Sequence, residues 1–512
     1  MSTTTVTPSS IDAGRSGPQP FRLRWLVLVV VMTANIMDAM DSTIANIAGP
    51  SVRHDLGGGA STLQWISAGY TLAFAVLLIA GARLGDIFGR RRIFLLGLAG
   101  FTCFSAACAA APSMAVLIAS RMLQGAFGAL MIPQGFGFLK QVFPNQVEFD
   151  NAMGFMGPAT GLPLLAAPIL AGALIDANLW HVGWRLVFLI NVPIGGLALA
   201  LAIPALPDST KRSDLKLDIG GVWLVGLALV AIIYPLIQGR GDGWPLWSFA
   251  LLAAGLLLLF AFLRYERGHR DNALIEPSLL GNRTYLSGIA VILFFFGAFA
   301  GLLLCVSLYG QLGEGWSPIH AGLTLTPMVI GIVLGMTVSF ALVDRLGRHL
   351  LHIGILLIAA GTAGIALVLT DAHSASTWDL VPGLVLAGAG AGTSFAQLFG
   401  FVLGSVTMDE VGSASGVLEA TQQLSTSLGV AVLGTIFFSA FAHHLPADAL
   451  QITAWACLAP LAGAFLFVFR LPRHARDEQE LLQQDDGTPS PRAAAQGNVD
   501  ACSQAPGAIV TR

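Results

Sequence analysis

Charged side chains are scarce in this sequence. Of its 512 residues only 11% are Asp, Glu, Lys or Arg, whereas an ordinary globular protein has about 25%. Hydrophobic residues make up 55%, and the mean hydropathy is +0.74. So few charges cannot cover the surface of a soluble fold of this length. The composition therefore excludes a soluble globular protein and indicates a protein that lies largely within a membrane.

Three further absences narrow the function. The net charge is -3, with 26 Lys and Arg against 29 Asp and Glu, so the basic surplus typical of nucleic-acid binding is missing. No segment fits G-x-x-x-x-G-K-[ST], so ATP hydrolysis is not the expected energy source. The cysteines lack metal-ligand spacing, and we interpret them as packing residues. They are Cys103, Cys108, Cys305, Cys457 and Cys502. We expect no metal and no cofactor.

Long apolar segments dominate what is present. A membrane-spanning helix needs roughly twenty apolar residues, and fourteen segments qualify. They lie at 24–47, 62–82, 93–111, 114–139, 150–176, 184–206, 217–237, 246–264, 284–312, 319–341, 349–370, 379–406, 412–441 and 451–471. The predicted fold class is an all-α membrane protein.

The domain organisation follows from these spans. We predict a six-helix half at 24–206, two inserted helices at 217–264 and a second six-helix half at 284–471. The flanking segments 1–23 and 472–512 are polar. The first is not a signal peptide, because no short apolar core ends in a cleavage site. The second has the composition of a disordered tail.

Lys and Arg fall mainly on one side of the predicted bundle. One side holds Arg90, Arg91, Arg92, Lys140, Lys211, Arg212, Lys216, Arg264, Arg267, Arg270, Arg283, Arg345, Arg348, Arg470, Arg473 and Arg476. The other side holds Arg53, Arg185 and Arg240. Because cytoplasmic loops carry the excess of Lys and Arg, this asymmetry predicts a multi-pass protein of the cell membrane with both termini in the cytoplasm.

One short motif occurs twice. Asp86-Ile-Phe-Gly89-Arg90 follows the second predicted helix, and Asp344-Arg345-Leu-Gly347-Arg348 follows the tenth. When the two central helices are left out, each motif follows the second helix of a six-helix half. Two related halves are a known plan of secondary transporters.

Four motifs in chain order carry a family resemblance. They are Asp41–Pro50, Gly81–Arg92, Arg121–Gly125 followed by Pro133, and Trp184–Gly195. With them the chain resembles the major facilitator superfamily, and within it the fourteen-helix drug:proton antiporters. The resemblance implies the major facilitator fold and proton-coupled efflux of drugs, antibiotics or other toxic small molecules by alternating access. It also implies a carrier driven by the proton gradient and not an enzyme.

The fifth helix departs from the family pattern. Antiporters of this kind carry a Gly-Pro and a Gly-Gly there in close register. This sequence has Gly157-Pro158 and then Pro168 and Gly172, with alanines at two expected glycines. Alanine still permits close helix packing, but the departure keeps a proton symporter for solute uptake open as an alternative.

Ionisable residues within spans are functional candidates because they are costly there. Asp38 and Asp41 lie three residues apart on helix one. We place both residues in the outer half of this helix. They share a helix face, and two carboxylates so close and away from bulk water do not both ionise easily. The resemblance adds Arg121 to these two as a proton-coupling residue. The alternative for Asp38 is that it lies at a water-exposed helix end and has no role in coupling.

A substrate cavity is expected between the halves, with candidates Glu419, Gln124, Gln422 and Trp65. The resemblance implies that an acid near Glu419 binds cationic drugs, so the expected partners are protons, the lipid bilayer and an amphipathic or cationic small molecule. Nucleic acid is not expected. Glu419 as an interfacial charge, and the glutamines as links between helices, remain alternatives.

The repeated motif is expected to hold the halves together at the cytoplasmic side. Asp86 can accept from a neighbouring helix end, and Arg90 can pair with a carboxylate of the other half. The residues of this predicted latch are Gly81, Gly85, Asp86, Gly89, Arg90, Asp344 and Arg348. A membrane enzyme is less favoured, because the connections are short and hold no cluster of carboxylates or histidines. A channel is less favoured, because it needs no titrating carboxylates.

Overall fold

A computed structural model describes residues 21–143, 145, 148, 152, 166–208, 217–268, 274–370, 375–407 and 410–473. The described residues form helices and connecting turns without a strand. Among them are thirteen helices long and apolar enough to cross a membrane, together with a shorter apolar helix, Ala166–Ala177. The predicted all-α membrane fold is therefore confirmed.

We number the membrane helices in chain order. They are α1 Arg24–Leu56, α2 Ala60–Phe88, α3 Arg90–Ala109, α4 Met114–Val142, α5 Ala166–Ala177, α6 Gly183–Ala205, α7 Ile219–Gln238, α8 Leu246–Gly268, α9 Arg283–Gly313, α10 318–346, α11 His349–Val368, α12 Thr377–Leu403, α13 Val411–Phe441 and α14 Pro446–Val468. A short helix, Pro277–Gly281, precedes α9.

Some sequence predictions lie outside the described residues. The fifth predicted span, 150–176, is described mainly in its last part, which is α5. The predicted tails 1–23 and 472–512 are described only at 21–23 and 472–473. The domain boundaries therefore stay predictions.

Helix ends differ most from the sequence prediction at α1. Hydropathy alone ends this helix near residue 47, but it continues through Pro50 to Leu56. It ends at Gly57, whose φ of +76° is a conformation that side-chain-bearing residues rarely adopt. A backbone signal thus stops α1, and the extra turns place Asp38 and Asp41 near the middle of the helix instead of in its outer half.

Glycines set the closest helix contacts in both six-helix halves. In the first half, α1 to α6, a Cβ added to Gly125 on α4 would lie 2.3 Å from the carbonyl oxygen of Tyr70 on α2. In the second half, α9 to α14, a Cβ on Gly388 of α12 would lie 1.9 Å from the carbonyl oxygen of Met328 on α10. The second and fourth helices of each half are therefore in backbone contact, as expected for related halves.

Two ends of the bundle are useful landmarks. The motif face is the end with Asp86 and Arg348, and the far face is the end with Asp55 and Trp316. At the far face α2 of the first half meets α13 of the second, where the Gln64 Nε2 donates to the Val430 oxygen at 3.1 Å. The hairpin α7–α8 packs beside this seam, with α7 in contact with both α2 and α13.

Candidate functional site

An ion pair lies in the interior of the first half. Asp41 on α1 accepts from the guanidinium of Arg121 on α4, and both side chains are 0% exposed. Arg121 also donates through Nε to the Ile66 oxygen at 3.2 Å. Its guanidinium carbon lies 4.3 Å from the Tyr70 ring centroid. Because removing two charges from water is costly, this pair persists only with such additional partners.

Two neutral side chains complete the hydrogen bonds of Asp41. The amides of Gln124 on α4 and Asn191 on α6 each donate to its Oδ1 at 2.9 Å. Gln124 and Asn191 also contact the Ser105 hydroxyl on α3, at 2.8 and 3.1 Å. Four helices therefore converge on one carboxylate. Hydrogen bonds linked in this way strengthen one another in a buried site.

Asp38 lies one turn before Asp41 and has a different environment. It accepts a hydrogen bond from the Tyr70 hydroxyl, and it lines the cavity between the two halves. Tyr70 therefore contacts the cavity carboxylate through its hydroxyl and Arg121 through its ring. Asp38 is therefore open to the cavity, whereas Asp41 is buried behind it.

The cavity has a volume of about 520 Å³, within the range of drug-sized ligand sites. A polar stripe from α1 forms one wall, with Asn35, Asp38, Ser42 and Asn46 at intervals of three or four residues. A second polar stripe, from α13, has the members Glu419, Gln422, Gln423 and Thr426.

The remaining wall of the cavity is aromatic and aliphatic. Phe296 and Phe299 on α9 and Phe395 and Phe399 on α12 line it. Phe395 is the centre of the ring contacts, with its centroid 5.1 Å from Phe296 and 5.4 Å from Phe299. Among the described residues that line the cavity, the ionisable ones are two acids, Asp38 and Glu419, and none is Lys, Arg or His.

Two of the four predicted cavity residues lie elsewhere. Glu419 and Gln422 line the cavity. Gln124 instead belongs to the buried network around Asp41, because α4 presents it to α1 and α3. Trp65 packs against Tyr234 of α7, with centroids 6.0 Å apart. Hydropathy cannot tell which face of a uniformly apolar helix meets a neighbouring helix and which meets a cavity.

At the motif face the first copy of the motif joins α2, α3 and α4. Gly89 has φ +98° between α2 and α3, and Arg90 pairs with Asp86 at 3.2 Å. Gly81 and Gly85 let α4 approach: the Gln134 amide donates to the Gly81 oxygen at 2.8 Å, and a Cβ on Gly85 would overlap that amide. The described partners of this copy lie within the first half, whereas we expected Arg90 to reach the second.

The second copy makes a different contact. Arg348 donates to the Phe469 and Leu471 oxygens at 3.0 and 2.7 Å. A cation thus caps the carboxyl end of α14, where the helix dipole favours it. The side chain of Asp344 lies outside the described residues.

The described part of helix five lies against the second half near the far face. A Cβ on Gly172 would lie 2.4 Å from Cα of Ile319, and the Ile319 amide donates to Asp176 at 3.2 Å. Pro168 meets Gly322 of α10 through its carbonyl. Pro158 lies outside the described residues.

Sequence reasoning did not select Tyr70, Ser105 or Asn191. Asn191 lies within the Trp184–Gly195 motif that carried the family resemblance, so its position was available as a signal. Tyr70 and Ser105 sit in apolar spans without any motif. Only the packing of the four helices α1, α2, α3 and α4 brings Tyr70 and Ser105 close to the aspartates.

Two related helical halves, a drug-sized cavity between them and ionisable side chains buried in the bundle define a secondary transporter. The family model described as Major Facilitator Superfamily matches residues 31–221 and 215–430. The chain therefore belongs to the major facilitator superfamily, and the resemblance drawn from its motifs is confirmed.

Two relatives and one solved structure are similar over most of the chain. A protein of Streptomyces coelicolor described as a probable actinorhodin transporter is 46% identical over 432 residues, which are 83% of this chain and 75% of the relative. The tetracenomycin C resistance and export protein of Streptomyces glaucescens is 34% identical over 427 residues, 82% of this chain and 77% of the relative. An auto-inhibited peptide transporter of the POT family has a TM-score of 0.64 at 16% identity, with 88% of this chain and 98% of that chain covered. That likeness concerns the fold alone.

Proposed function

We propose that this protein exports drug-like small molecules across the cytoplasmic membrane in exchange for protons, without a cofactor. The observation that carries the proposal is the buried Asp41–Arg121 pair placed directly behind the cavity carboxylate Asp38. Relatives named for antibiotic transport, resistance and export support the direction of transport.

The coupling step uses the two aspartates in sequence. A proton arriving in the cavity meets Asp38 first, because Asp38 lines it and Asp41 does not. Protonation of Asp41 removes the negative charge that compensates Arg121, which then needs another partner in the bundle. Rearrangement of α1 against α4 follows. The proton gradient drives the cycle because protonated and deprotonated carriers differ in which conformation they favour.

The cavity favours a cargo with one flat apolar side and one polar edge. Four phenylalanine rings offer stacking surfaces, whereas the stripes on α1 and α13 offer amide and hydroxyl groups. The two acids disfavour an anionic cargo and favour a cation. The proposed substrates are therefore aromatic amphiphiles that are neutral or positively charged.

The excess of Lys and Arg supports a cytoplasmic position for the motif face and both termini. The hydrogen bonds that join the halves in the described structure lie toward the far face, including Gln64 with Val430 and Ile319 with Asp176. With this orientation, these bonds support a conformation that is closed to the outside.

Accumulation of fluorescent dyes in an efflux-deficient bacterium tests the proposal. Cells that express the chain should retain less cationic aromatic dye, and a protonophore should abolish the difference. Asp41→Asn should behave like the protonophore at equal expression, because it removes the titrating group. Normal export by Asp41→Asn would refute the coupling assignment. Raised accumulation of a compound in expressing cells would favour uptake.

A further inference from the structure

The hairpin α7–α8 is bonded to the seam where the two halves meet. At the far face Gln64 of α2 donates to the Val430 and Ala431 oxygens of α13, and to the Thr435 hydroxyl, at 3.1, 3.1 and 3.2 Å. Thr435 in turn donates to the Leu236 oxygen of α7 at 2.8 Å. We call Gln64, Thr435, Leu236, Arg240 and Phe438 the seam junction. It links both halves and the hairpin in one chain of hydrogen bonds.

The bond from Thr435 departs from what threonine does elsewhere in these helices. A helical threonine normally donates to the carbonyl four residues earlier, as Thr421 and Thr426 do on the same helix, at 2.7 and 3.1 Å. For Thr435 that carbonyl belongs to Ala431, and Ala431 accepts from Gln64 instead. The Leu236 oxygen therefore draws the hydroxyl away from its default partner. The lone pairs of Thr435 and of Ala431 are then available to Gln64.

Two helix ends meet at this point. Leu236 is among the last residues of α7, where carbonyls lack partners within the helix. Phe438 is among the last residues of α13, and its oxygen also accepts from the Ala442 amide at 3.2 Å. Arg240 donates to the Phe438 oxygen at 2.8 Å, with its guanidinium 5.6 Å from the Phe438 ring centroid. A cation at a helix carboxyl end is favourable. The end of α7 is thereby fixed to α13 of the second half.

The contact between α2 and α13 requires Gly434. A Cβ at this position would lie 2.5 Å from the Gln64 nitrogen. Gln64 is 0% exposed, and its Nε2 must face α13, because the Val430 and Ala431 oxygens are acceptors only. Close packing and hydrogen bonding thus depend on the same small patch of the seam.

We propose that α7 positions Thr435 so that Gln64 can hold the far face closed, which makes the hairpin part of the gate. Release of cargo to the far side requires α2 and α13 to separate there, since they belong to different halves. Arg240 and Thr435 hold α7 to α13, so separation breaks the bonds of Gln64. The proposal goes beyond the export function and does not depend on it, because it concerns the ligand-free protein.

Distances between spin labels at the far face test this proposal. Labels are attached through His54→Cys on the first half and His443→Cys on the second, both exposed, in a background without the five native cysteines. Double electron–electron resonance in lipid nanodiscs then gives the ratio of open to closed populations. Thr435→Val and Arg240→Gln should each raise that ratio about fivefold, the effect of losing one hydrogen bond. Gly434→Ala should raise it at least as much.

Matched controls separate gating from general damage. Gly416→Ala lies on the same helix with open space around the added Cβ. Thr453→Val removes a buried hydroxyl that bonds within its own helix, and Arg267→Gln changes an exposed arginine at the other end of the hairpin. All three control variants should keep the wild-type distances. Thr435→Ser should keep them as well, because serine retains the hydroxyl that Thr435→Val removes.

The pattern of results decides the role of the hairpin. Unchanged distances in Thr435→Val and Arg240→Gln would overturn the proposal. A shift in Gly434→Ala alone would also overturn it, because α2 and α13 would then gate without help from α7. The test variants and the control variants are all compared by their distance distributions. A variant that no longer exports therefore still gives a valid result.

Discussion

At the scale of single residues, neighbouring carboxylates differ in their hydrogen-bond partners and in their access to the cavity. Asp41 is enclosed by Arg121, Gln124 and Asn191, whereas Asp38 faces the cavity with a hydrogen bond from Tyr70. Glu419 reaches the same cavity from α13. Because Asp38 already has a partner, Glu419 is the acid best placed to meet a positively charged cargo.

Replacing Glu419 should therefore separate cargoes by charge. Glu419→Gln should weaken binding of a cationic aromatic dye such as ethidium about tenfold, the order expected when a charge-assisted contact becomes a neutral one. A neutral dye of similar size should bind within about twofold of wild type by the same reasoning. Fluorescence titration of the purified protein measures both affinities.

The matched control is Glu410→Gln. This carboxylate lies just before α13 and accepts from the Thr407 amide at 3.1 Å, outside the cavity lining. It should leave both affinities unchanged. Equal weakening of both dyes by Glu419→Gln would indicate that Glu419 shapes the cavity instead of meeting charge.

The residue scale also marks where sequence reasoning ends. Asp38, Asp41, Arg121 and Glu419 could be selected because an ionisable group is conspicuous in an apolar span. Tyr70 is not conspicuous there, since an aromatic residue is ordinary in a membrane helix. Its importance comes from two contacts, with Asp38 and Arg121, that exist only after the helices pack.

At the scale of helices, small residues determine which pairs come into backbone contact. Gly331 and Gly335 on α10 face Gly388 and Gly392 on α12, each pair four residues apart. A Cβ on any of them would lie 1.9 to 2.2 Å from a carbonyl oxygen of the other helix. Close approach of this kind compensates for the missing hydrophobic drive between helices in lipid.

Adding a methyl group at this crossing should destabilise the second half. We expect Gly388→Ala to lower the free energy of unfolding by about 1–3 kcal/mol, the usual cost of overpacking, because the opposing atom belongs to the backbone and cannot turn aside. Gly400→Ala on the same helix meets nothing within 4 Å and should be neutral. Thermal unfolding in detergent, followed by size-exclusion chromatography, compares the two; similar melting of both variants would contradict this account of the crossing.

Helix positions and several helix ends were accessible to sequence reasoning, but the end of α1 was not. Hydropathy located the spans, because the bilayer core requires long apolar runs. The end of α1 was placed about nine residues early, because hydropathy falls after residue 47 while the backbone stays helical until Gly57. This error moved Asp38 and Asp41 away from the middle of the helix, where they meet α4.

At the scale of the whole molecule, hydrogen bonds between the halves define the conformational state. Gln64 and Ser427 join α2 to α13, and Asp176 accepts from the start of α10. Gln64 and Asp176 lie toward the far face, and Ser427 lies near the middle of α13. If the motif face lies in the cytoplasm, as proposed, closure at the far face is the arrangement from which an exporter loads its cargo.

Accessibility of a cavity residue from each side of the membrane should follow from this arrangement. Ser42 is half-buried in the polar stripe of α1. In a background with Cys103 and Cys502 replaced by serine, Ser42→Cys should react with a charged, membrane-impermeant maleimide faster in inside-out vesicles than in right-side-out vesicles. An excess of about tenfold corresponds to a far face closed nine-tenths of the time.

Three native cysteines serve as internal controls for this measurement. Cys108, Cys305 and Cys457 are each 0% exposed and should stay unlabelled in both kinds of vesicle. Faster reaction in right-side-out vesicles would contradict either the orientation or the closed far face. His443→Cys, which is exposed just after α13 at the far face, separates the two when it is labelled in the same background. If the cysteine at position 443 reacts from outside, the orientation stands, and the far face must be open in the membrane.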